Sequence, residues 1–582
     1  MSAHLGGRLV FGCVLLFAVS TAPAGPGSQS APATPLHRAD LQQVAADLRA
    51  LRLPPTRDGL PDYSAGAVEA QKQGLQALRA RFDALQPSTW PVHDRVDYLL
   101  VRAELDQLEY ALHVHRPTSR NPNFYLSSIS SAGMLSGPTL SRLGQLVSQP
   151  APFDATRARR ILDHLRAIPR ILEQAKHNLT EPDAHMAQWA LPTLERARES
   201  SRRFADALVP LWPAAEAAEL PAAAQAMGEA LAEYEQWIRD RLDTTSRSAP
   251  VGREMYDWLL HHVWLLPYDA GDILRLGEQE YARFQAWSAF EEVRNQGQLP
   301  LTRAATTAEY ARRTEEEEKA IRAFLQKTGV LTVPAGVGPY RRALMPPYLQ
   351  AFTLWNGLSG YGTPDRGAVK YAVPETDPYA ETYWEAIMRT DPSTNIFHDG
   401  IPGHHFQGIL ARLNPCPIRQ QHTERFKSEG WATYWEEAAV RLGYYDQRPR
   451  SRELILSYLR LRAARVIVDV RMALGQMTRD EAVRALMEVP VDRRIATEEV
   501  DDFLAAPTGG VVYLIGKLQI ERLLAERRAQ LGSRFVLREY HDGLMDAGWV
   551  PLALTRWELT GADDEVNAMF ADRARVPRPG QR

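Results

Sequence analysis

Apolar residues recur at helical spacing along almost the whole of this chain, and this feature constrains its fold more than any other. Near the start, Leu41, Val44, Leu48 and Leu51 fall on one face of a helix. The same pattern continues in longer stretches, at 68–85, 96–112, 156–175, 183–208, 222–242, 256–293, 424–442, 454–474, 478–487, 511–531 and 552–559. Such stretches are typical of amphipathic helices that share a core. We therefore predict a mainly α-helical protein.

One segment, between residues 331 and 373, interrupts the helical pattern and is rich in proline, glycine and aromatic residues. Residues 342–345 and 368–373 are candidates for two short strands, and a proline ends each of them. Proline cannot donate a hydrogen bond to a β-ladder, so any sheet in this segment must be small. We therefore expect a minor β segment within the helical fold.

The two ends of the chain differ from its helical body. Arg8, the apolar run 9–19 and the small residues at 22–24 have the layout of a signal peptide, so we predict that residues 1–24 are removed. Residues 25–38 have the composition of a disordered leader, and residues 573–582 that of a frayed tail. The helical domain then spans 39–572. Loop-forming residues at 244–252 either divide this domain or form a surface loop within it.

The signal peptide predicts a secreted or periplasmic protein. Its apolar run is too short to span a bilayer, so we expect no stable membrane insertion after cleavage. A lipid anchor at Cys13 is the less favoured alternative, because little apolar sequence precedes that cysteine. The net charge of −3 at pH 7 gives no indication of a nucleic-acid partner.

Residues 398–405 contain three histidines and one aspartate close together in the sequence. Proline favours the first helical position, so a helix that starts at Pro402 would place His404 and His405 in its first two turns, with His398 and Asp399 on the preceding loop. On one straight helix His398 and His404 would be about 9 Å apart, too far to share a metal. A backbone break before Pro402 would bring His398 back. The alternative is that these histidines only cap the helix or lie at the protein surface.

A second stretch, 428–437, contributes carboxylates. Glu429 and Glu436 are seven residues apart and therefore lie on one face of a helix. Small residues between them, Ala432 and Thr433, would let another helix approach closely. One glutamate could bind a metal while the other orients a ligand. The alternative is that both glutamates are half-exposed residues of a tryptophan-rich helix and bind no metal.

These stretches resemble signature sequences of the bacterial domain-of-unknown-function family 885. Residues 398–407 (HDGIPGHHFQ) resemble H-E-x-x-P-G-H-H-x-Q, and residues 429–436 (EGWATYWE) resemble E-G-W-A-x-Y-x-E. Three later segments, 462–469, 513–517 and 541–542, resemble further motifs of the same family in the same order. The resemblance is clearest from about residue 255 to 559.

The family is similar to helical zinc peptidases of the angiotensin-converting-enzyme and oligopeptidase kind. This similarity implies a large helical architecture of that type, with a bound zinc ion. It also implies His398, His404 and Glu429 as the zinc ligands. We expect His405 and Glu436 to lie around these ligands and to orient them.

The same resemblance implies catalytic roles for three further residues. Asp399, the acid after the first histidine, is the expected general base, and Tyr513 and His541 are candidates to stabilise an oxyanion. Asp399 stands where the family has glutamate, so its carboxylate is one methylene shorter. We therefore expect an exported zinc-dependent hydrolase that acts on peptide bonds. A peptide- or metal-binding protein without turnover is the first alternative, and a helical scaffold without metal is the second.

Overall fold

The computed structural model describes residues 36–126, 137–148, 151–245, 249–349, 367–422 and 424–571. The predicted signal peptide, the alternative anchor residue Cys13 and the predicted tail lie outside the described residues. The first helix begins at Leu36, so the last three residues of the predicted leader are helical.

The described residues up to 245 are mostly helical, with short connections between the helices. These are α1 (Leu36–Arg52), α2 (Ala65–Asp83), α3 (Val92–Tyr110), α4 (Pro117–Arg120), α5 (Leu140–Val147), α6 (Ala155–Asn178), α7 (Ala184–Leu208), α8 (Ala214–Ala217) and α9 (Leu220–Arg239). The longer ones coincide with the predicted stretches, and side chains cap the start of α2, α6 and α7, such as Asp154 before α6.

The described residues from 249 onward are helical as well, apart from one small sheet. The helices are α10 (Arg253–Trp258), α11 (Ala270–Arg294), α12 (Thr307–Thr328), α13 (Tyr383–Thr390), α14 (Ser393–Asp399), α15 (His404–Arg412), α16 (Pro417–Gln421), α17 (Arg425–Arg441), α18 (Pro449–Ala473), α19 (Arg479–Met487), α20 (Arg493–Ala505), α21 (Val512–Leu531), α22 (Leu537–Asp546), α23 (Leu552–Thr560) and α24 (Asp564–Ala571). The prediction of a mainly α-helical fold is confirmed.

Two small sheets complete the described structure. Strands β1 (Thr56–Arg57) and β2 (Leu60–Pro61) form an antiparallel pair that the sequence did not indicate. Strands β3 (Tyr340–Leu344) and β4 (Ala368–Ala372) pair in parallel, close to the two predicted strands. The β content is therefore minor, as expected.

The largest apolar core takes residues from both sides of the segment 244–252, among them Leu231 and Tyr256. A second core joins the first three helices to the C-terminal ones, through residues such as Leu100 and Leu554. The division of the domain at 244–252 stays a prediction. Among the described residues, no helix is both long and apolar enough to cross a membrane.

Helices α17 and α21 touch through two glycines. A Cβ atom on Gly516 would lie 1.8 Å from the carbonyl oxygen of Phe426, and one on Gly430 would lie 2.4 Å from the carbonyl carbon of Gly516. No carbon atom can approach these atoms so closely, so both positions require glycine. The contact matters for the site described below, because α17 carries Glu429 and α21 carries Tyr513.

Replacing Gly516 by alanine should destabilise the protein by about 3 kcal/mol or more, because the added methyl group overpacks a backbone contact that cannot relax locally. The midpoint of urea unfolding would measure this loss. Gly66→Ala in the first turn of α2 is the matched control, since a Cβ there meets nothing within 4 Å. The control should unfold at the same or a slightly higher urea concentration. Equal midpoints for both variants would contradict the close contact.

Candidate metal centre

The backbone breaks between α14 and α15, and the break brings two histidines together. His398 ends α14 with Asp399, and His404 is the first residue of α15. Their ring centroids are 4.8 Å apart. The helix therefore starts two residues later than predicted from Pro402, and His398 and Asp399 end a helix instead of lying on a loop. A Cβ on Gly403 would lie 1.8 Å from the carbonyl oxygen of His398, so this turn requires glycine.

Glu429 on α17 faces both histidines. Its Oε2 lies 3.2 Å from Nε2 of His404 and 3.5 Å from Nε2 of His398. One ligand atom from each residue lies within 4.8 Å of the others. Atoms bound tetrahedrally to one zinc ion at about 2.1 Å are about 3.4 Å apart, so the two shorter distances match the spacing of zinc ligands. We call His398, His404 and Glu429 the ligand cluster.

The outer nitrogens of both histidines have acceptors. Nδ1 of His398 lies 2.8 Å from Oε1 of Glu436. The two atoms form an ion-pair contact, but their angle does not meet the geometry of a hydrogen bond. Nδ1 of His404 lies 3.2 Å from the hydroxyl of Ser428. Histidine ligands usually donate their second nitrogen in this way, which leaves the other nitrogen free to bind a metal. The structure thus places Glu436 beside His398.

The electrostatics of the ligand cluster favour bound positive charge. Burial lowers the pKa of His398, but Glu429 and Glu436 outweigh burial and raise this pKa to about 9. Burial likewise raises the pKa of Glu429, but His404 and His398 outweigh it and hold this pKa well below its usual range. The two glutamates therefore favour positive charge at the cluster, and a metal ion that bound there would have to displace the proton of His398.

Asp399 lies at the edge of the ligand cluster, with its charge opposed by cations. Its Oδ2 accepts hydrogen bonds from Nζ of Lys370 on β4 and from the side-chain amide of Asn395. Burial raises the pKa of Asp399, but the positive charges of Lys370, His398 and His404 outweigh it and bring this pKa well below its usual range. The carboxylate is therefore charged and held in place.

Tyr513, near the start of α21, lies over one face of the cluster. Its ring stacks on His398 with a centroid distance of 6.4 Å. The guanidinium carbons of Arg462 and Arg465 lie 4.6 Å and 4.8 Å from the centroid of the tyrosine ring. Burial and the charge of Glu429 raise the pKa of the Tyr513 hydroxyl, so this group keeps its proton and remains a hydrogen-bond donor.

The structure does not bring His541 or His405 to the ligand cluster. Both ring nitrogens of His541 have partners, the hydroxyl of Tyr434 at 2.9 Å and the carbonyl oxygen of Val330 at 2.7 Å. Burial lowers the pKa of His541 to about 4, so the ring is neutral. His405 instead meets the carbonyl oxygen of Gly338 at 3.0 Å. Neighbouring residues on a helix point about 100° apart, so His404 and His405 face different sides.

Asp469, to which no role was predicted, holds the loop before Tyr513 in place. The backbone N–H groups of Thr508 and Gly510 donate to its carboxylate at 3.1 Å and 2.6 Å, and the hydroxyl of Tyr256 donates at 3.3 Å. Burial raises the pKa of Asp469 to about 7, although these hydrogen bonds oppose the shift. Asp469 thereby fixes the backbone that leads into α21.

Four other residues around the cluster had no assigned role in the sequence analysis, namely Lys370, Ser428, Arg462 and Arg465. The spacing of the two arginines, three residues apart, was a usable signal, because it places them on one helix face. Lys370 is 29 residues from Asp399, and no local pattern indicates such a pair.

A cavity of about 880 Å³ lies elsewhere in the protein. Met472, Phe503 and Pro507 are among the residues that line it, and no member of the ligand cluster does. Met472 follows Arg462 by ten residues on α18, which corresponds to about 15 Å along the helix. Size alone favours this cavity as a binding site. We place the candidate site at the ligand cluster because, within the part of the chain that the structure describes, these are the side chains arranged to hold one metal ion.

Comparisons with known proteins identify a family and a fold. The family described as "Bacterial protein of unknown function (DUF885)" matches residues 48–559. No curated protein matches the chain. One similar solved structure is a candidate lipoprotein of unknown function from Shewanella oneidensis, with a TM-score of 0.65, 15% identity, and coverage of 90% of this chain and 98% of that chain. Another is a candidate lipoprotein from Colwellia psychrerythraea, with a TM-score of 0.71, 17% identity and the same coverage. At these identities the likeness establishes the fold alone.

Proposed function

We propose that this chain, which belongs to the bacterial family of unknown function DUF885, is an exported zinc-dependent hydrolase that acts on peptide bonds. Family membership supplies no activity, so the proposal depends on the site. The observation that carries it is the ligand cluster, in which two imidazole nitrogens and one carboxylate oxygen lie within 4.8 Å of one another.

The donor set fits catalytic zinc better than structural zinc. Structural zinc sites have four protein ligands, usually with cysteine among them, whereas hydrolytic sites have three, and two histidines with one glutamate are a known hydrolytic set. Cys416, the only free cysteine among the described residues, is buried and contacts Asp97. The contacts of Glu436 and Ser428 with the outer histidine nitrogens add the support that such ligands need.

The residues around the cluster supply the remaining parts of a hydrolytic mechanism. A zinc ion bound there would act as a Lewis acid towards a carbonyl group and would acidify water. Lys370 and Asn395 both contact Oδ2 of Asp399, which leaves Oδ1 as the oxygen to take a proton from water and pass it to the leaving amine. The hydroxyl of Tyr513 would donate a hydrogen bond to the oxyanion.

We also propose that the protein is exported. The layout of residues 1–24 supports this, and the two similar solved structures named above are described as candidate lipoproteins. Release of a soluble protein after cleavage at Ala24 is our first choice, and a lipid anchor at Cys13 is the alternative.

Metal analysis combined with a peptide digest tests the proposal directly. The purified mature protein should contain about one zinc ion per chain and should cleave members of a peptide mixture, as followed by mass spectrometry. A chelator should abolish cleavage, and added zinc should restore it. Cleavage that survives complete metal removal would contradict the proposal. If the purified protein contained iron and no zinc, the proposed reaction class would change, because two histidines and a carboxylate also bind non-haem iron.

A second function, binding of peptide or metal without turnover, is favoured by one observation. Lys370 neutralises Asp399 and occupies one of its two carboxylate oxygens. A base held in this way loses much of its tendency to accept a proton. Peptides that bind the zinc-loaded protein but stay intact in a single-turnover experiment would support this second function.

A further inference from the structure

Arg425, the first residue of α17, has no ion-pair partner among the residues that the structure describes. Its Nη1 is buried and has no hydrogen-bond partner among the described residues. No ion pair or hydrogen bond joins Arg425 to any other residue in the part of the chain that the structure describes. A guanidinium group that is partly removed from water without a partner costs free energy. The arrangement therefore calls for an anion from outside the chain.

Arg425 lies on the same face of α17 as the ligand cluster. It precedes Glu429 by four residues, which places the two side chains next to each other on the helix surface. They do not pair, although an arginine and a glutamate at this spacing commonly do. Burial and Glu429 raise the pKa of the Tyr513 hydroxyl, whereas the positive charge of Arg425 lowers it, as do the charges of Arg465 and Arg462.

Two other arginines near the cluster have acidic partners. Nη2 of Arg462 donates to Glu436 at 3.3 Å, and Nε of Arg465 donates to Glu499 at 2.8 Å. Arg465 nevertheless keeps a buried Nη1 with no hydrogen-bond partner among the described residues. Arg465, whose guanidinium carbon lies 4.8 Å from the ring centroid of Tyr513, and Arg425, one helical turn before Glu429, therefore each keep an unsatisfied guanidinium nitrogen near the cluster.

We propose that Arg425, assisted by Nη1 of Arg465, forms a subsite for a substrate carboxylate next to the ligand cluster. A guanidinium group presents two parallel N–H donors that match the two oxygens of a carboxylate, and such charge-assisted pairs are strong. The inference rests on the proposed function and adds a substrate class, namely peptides with a carboxylate near the bond that is cleaved. The carboxylate comes either from the free C-terminus or from an acidic side chain.

Equilibrium binding of short peptides tests this subsite. We would measure N-acetyl-Ala-Ala-Ala, its C-terminal amide, and N-acetyl-Ala-Asp-Ala amide by calorimetry, on protein with Asp399→Asn so that the peptides stay intact. The free acid should bind about 10- to 100-fold more tightly than its amide, as expected for a charge-assisted hydrogen bond. Tight binding of the aspartate peptide as well would identify the acidic side chain as a second source of the carboxylate.

Two matched substitutions on α17 complete the test. Arg425→Gln should reduce the preference for the acid to a few-fold without lowering the melting temperature, because it removes a charge that has no partner. Arg441→Gln should leave the preference unchanged, since Arg441 is 59% exposed and pairs with Glu437 on the same helix. Acid and amide that bind equally, or a preference that survives Arg425→Gln, would overturn the subsite.

The outcome separates the subsite from the proposed hydrolase activity. Zinc content is measured on the same samples. A preference for the acid in protein that binds no zinc would support the subsite and contradict the hydrolase. Zinc-dependent cleavage of acid and amide peptides at equal rates would support the hydrolase and overturn the subsite.

Discussion

Alanine at His404 or Glu429 should reduce the zinc content of the purified protein from about one ion per chain to nearly none, because a hydrolytic site has three protein ligands and loses its affinity when one is removed. Atomic emission measurement on dialysed protein gives the number directly. His398→Ala should have the same effect, since Nε2 of His398 lies 3.5 Å from Oε2 of Glu429, the oxygen that also faces His404.

The control for these variants is His422→Ala. His422 is also buried and also contacts a glutamate, Glu104, at 2.8 Å, but it lies outside the ligand cluster. Its replacement should leave zinc content unchanged. Glu429→Gln preserves the size of the side chain, so it separates loss of the ligand from a failure to fold. Zinc that remains in all these variants would refute the ligand assignment.

Glu436 should show a graded effect in the same experiment. Its carboxylate contacts Nδ1 of His398 and accepts a hydrogen bond from Arg462, and the side chain is fully buried. Glu436→Gln should therefore weaken zinc binding by about 10- to 100-fold without abolishing it, as losses of such outer partners usually do. A competition assay with a zinc chelator measures this difference in affinity. Zinc content after mild dialysis would not reveal it, because a moderately weakened site can remain occupied.

Much of the helical fold could be predicted, because the apolar spacing of an amphipathic helix is a local property of the sequence. The family resemblance is likewise confirmed, by a match over residues 48–559. The prediction failed where local signals overlapped. The stretch 256–293 reads as one helix, but α10 and a following π-helical turn end before a new helix starts at Ala270. Asp269 and Asp272 form the capping box of that new helix. This start signal was overlooked because the apolar residues continue at helical spacing on both sides of it.

The candidate site could be predicted only as far as helix faces allow. Spacing placed Glu429 and Glu436 on one face, and the structure indeed turns both towards His398. Spacing could not show which helices meet, so it could not find the contact of Lys370 with Asp399. It also named Ala432 and Thr433 as the residues that permit close approach, whereas the glycines of α17 and α21 make the closest contact. Contacts between distant segments depend on tertiary packing and leave no local pattern.

Asparagine at position 399 should abolish peptide hydrolysis while zinc stays bound. The amide has nearly the shape of the carboxylate but cannot accept a proton, and loss of a general base typically costs about 10²- to 10⁴-fold in rate. Asp399 is not part of the ligand cluster, so zinc content should equal that of the unchanged protein. Asp542→Asn is the control, because Asp542 bonds to Thr332, away from the cluster. Unchanged turnover in Asp399→Asn would remove Asp399 from the mechanism.

Asp399→Glu then decides between a working enzyme and a binding protein. A base must lie within about 2.6–3.2 Å of the proton that it takes, and an error of about 1 Å can cost about 100-fold in rate. The contact with Lys370 draws the short carboxylate towards β4, and an added methylene would restore reach towards the cluster. Activity should therefore be kept or raised. A fall in activity would mean that the backbone already compensates for the shorter side chain. If only the glutamate variant cleaves peptides, the natural chain binds them without turnover.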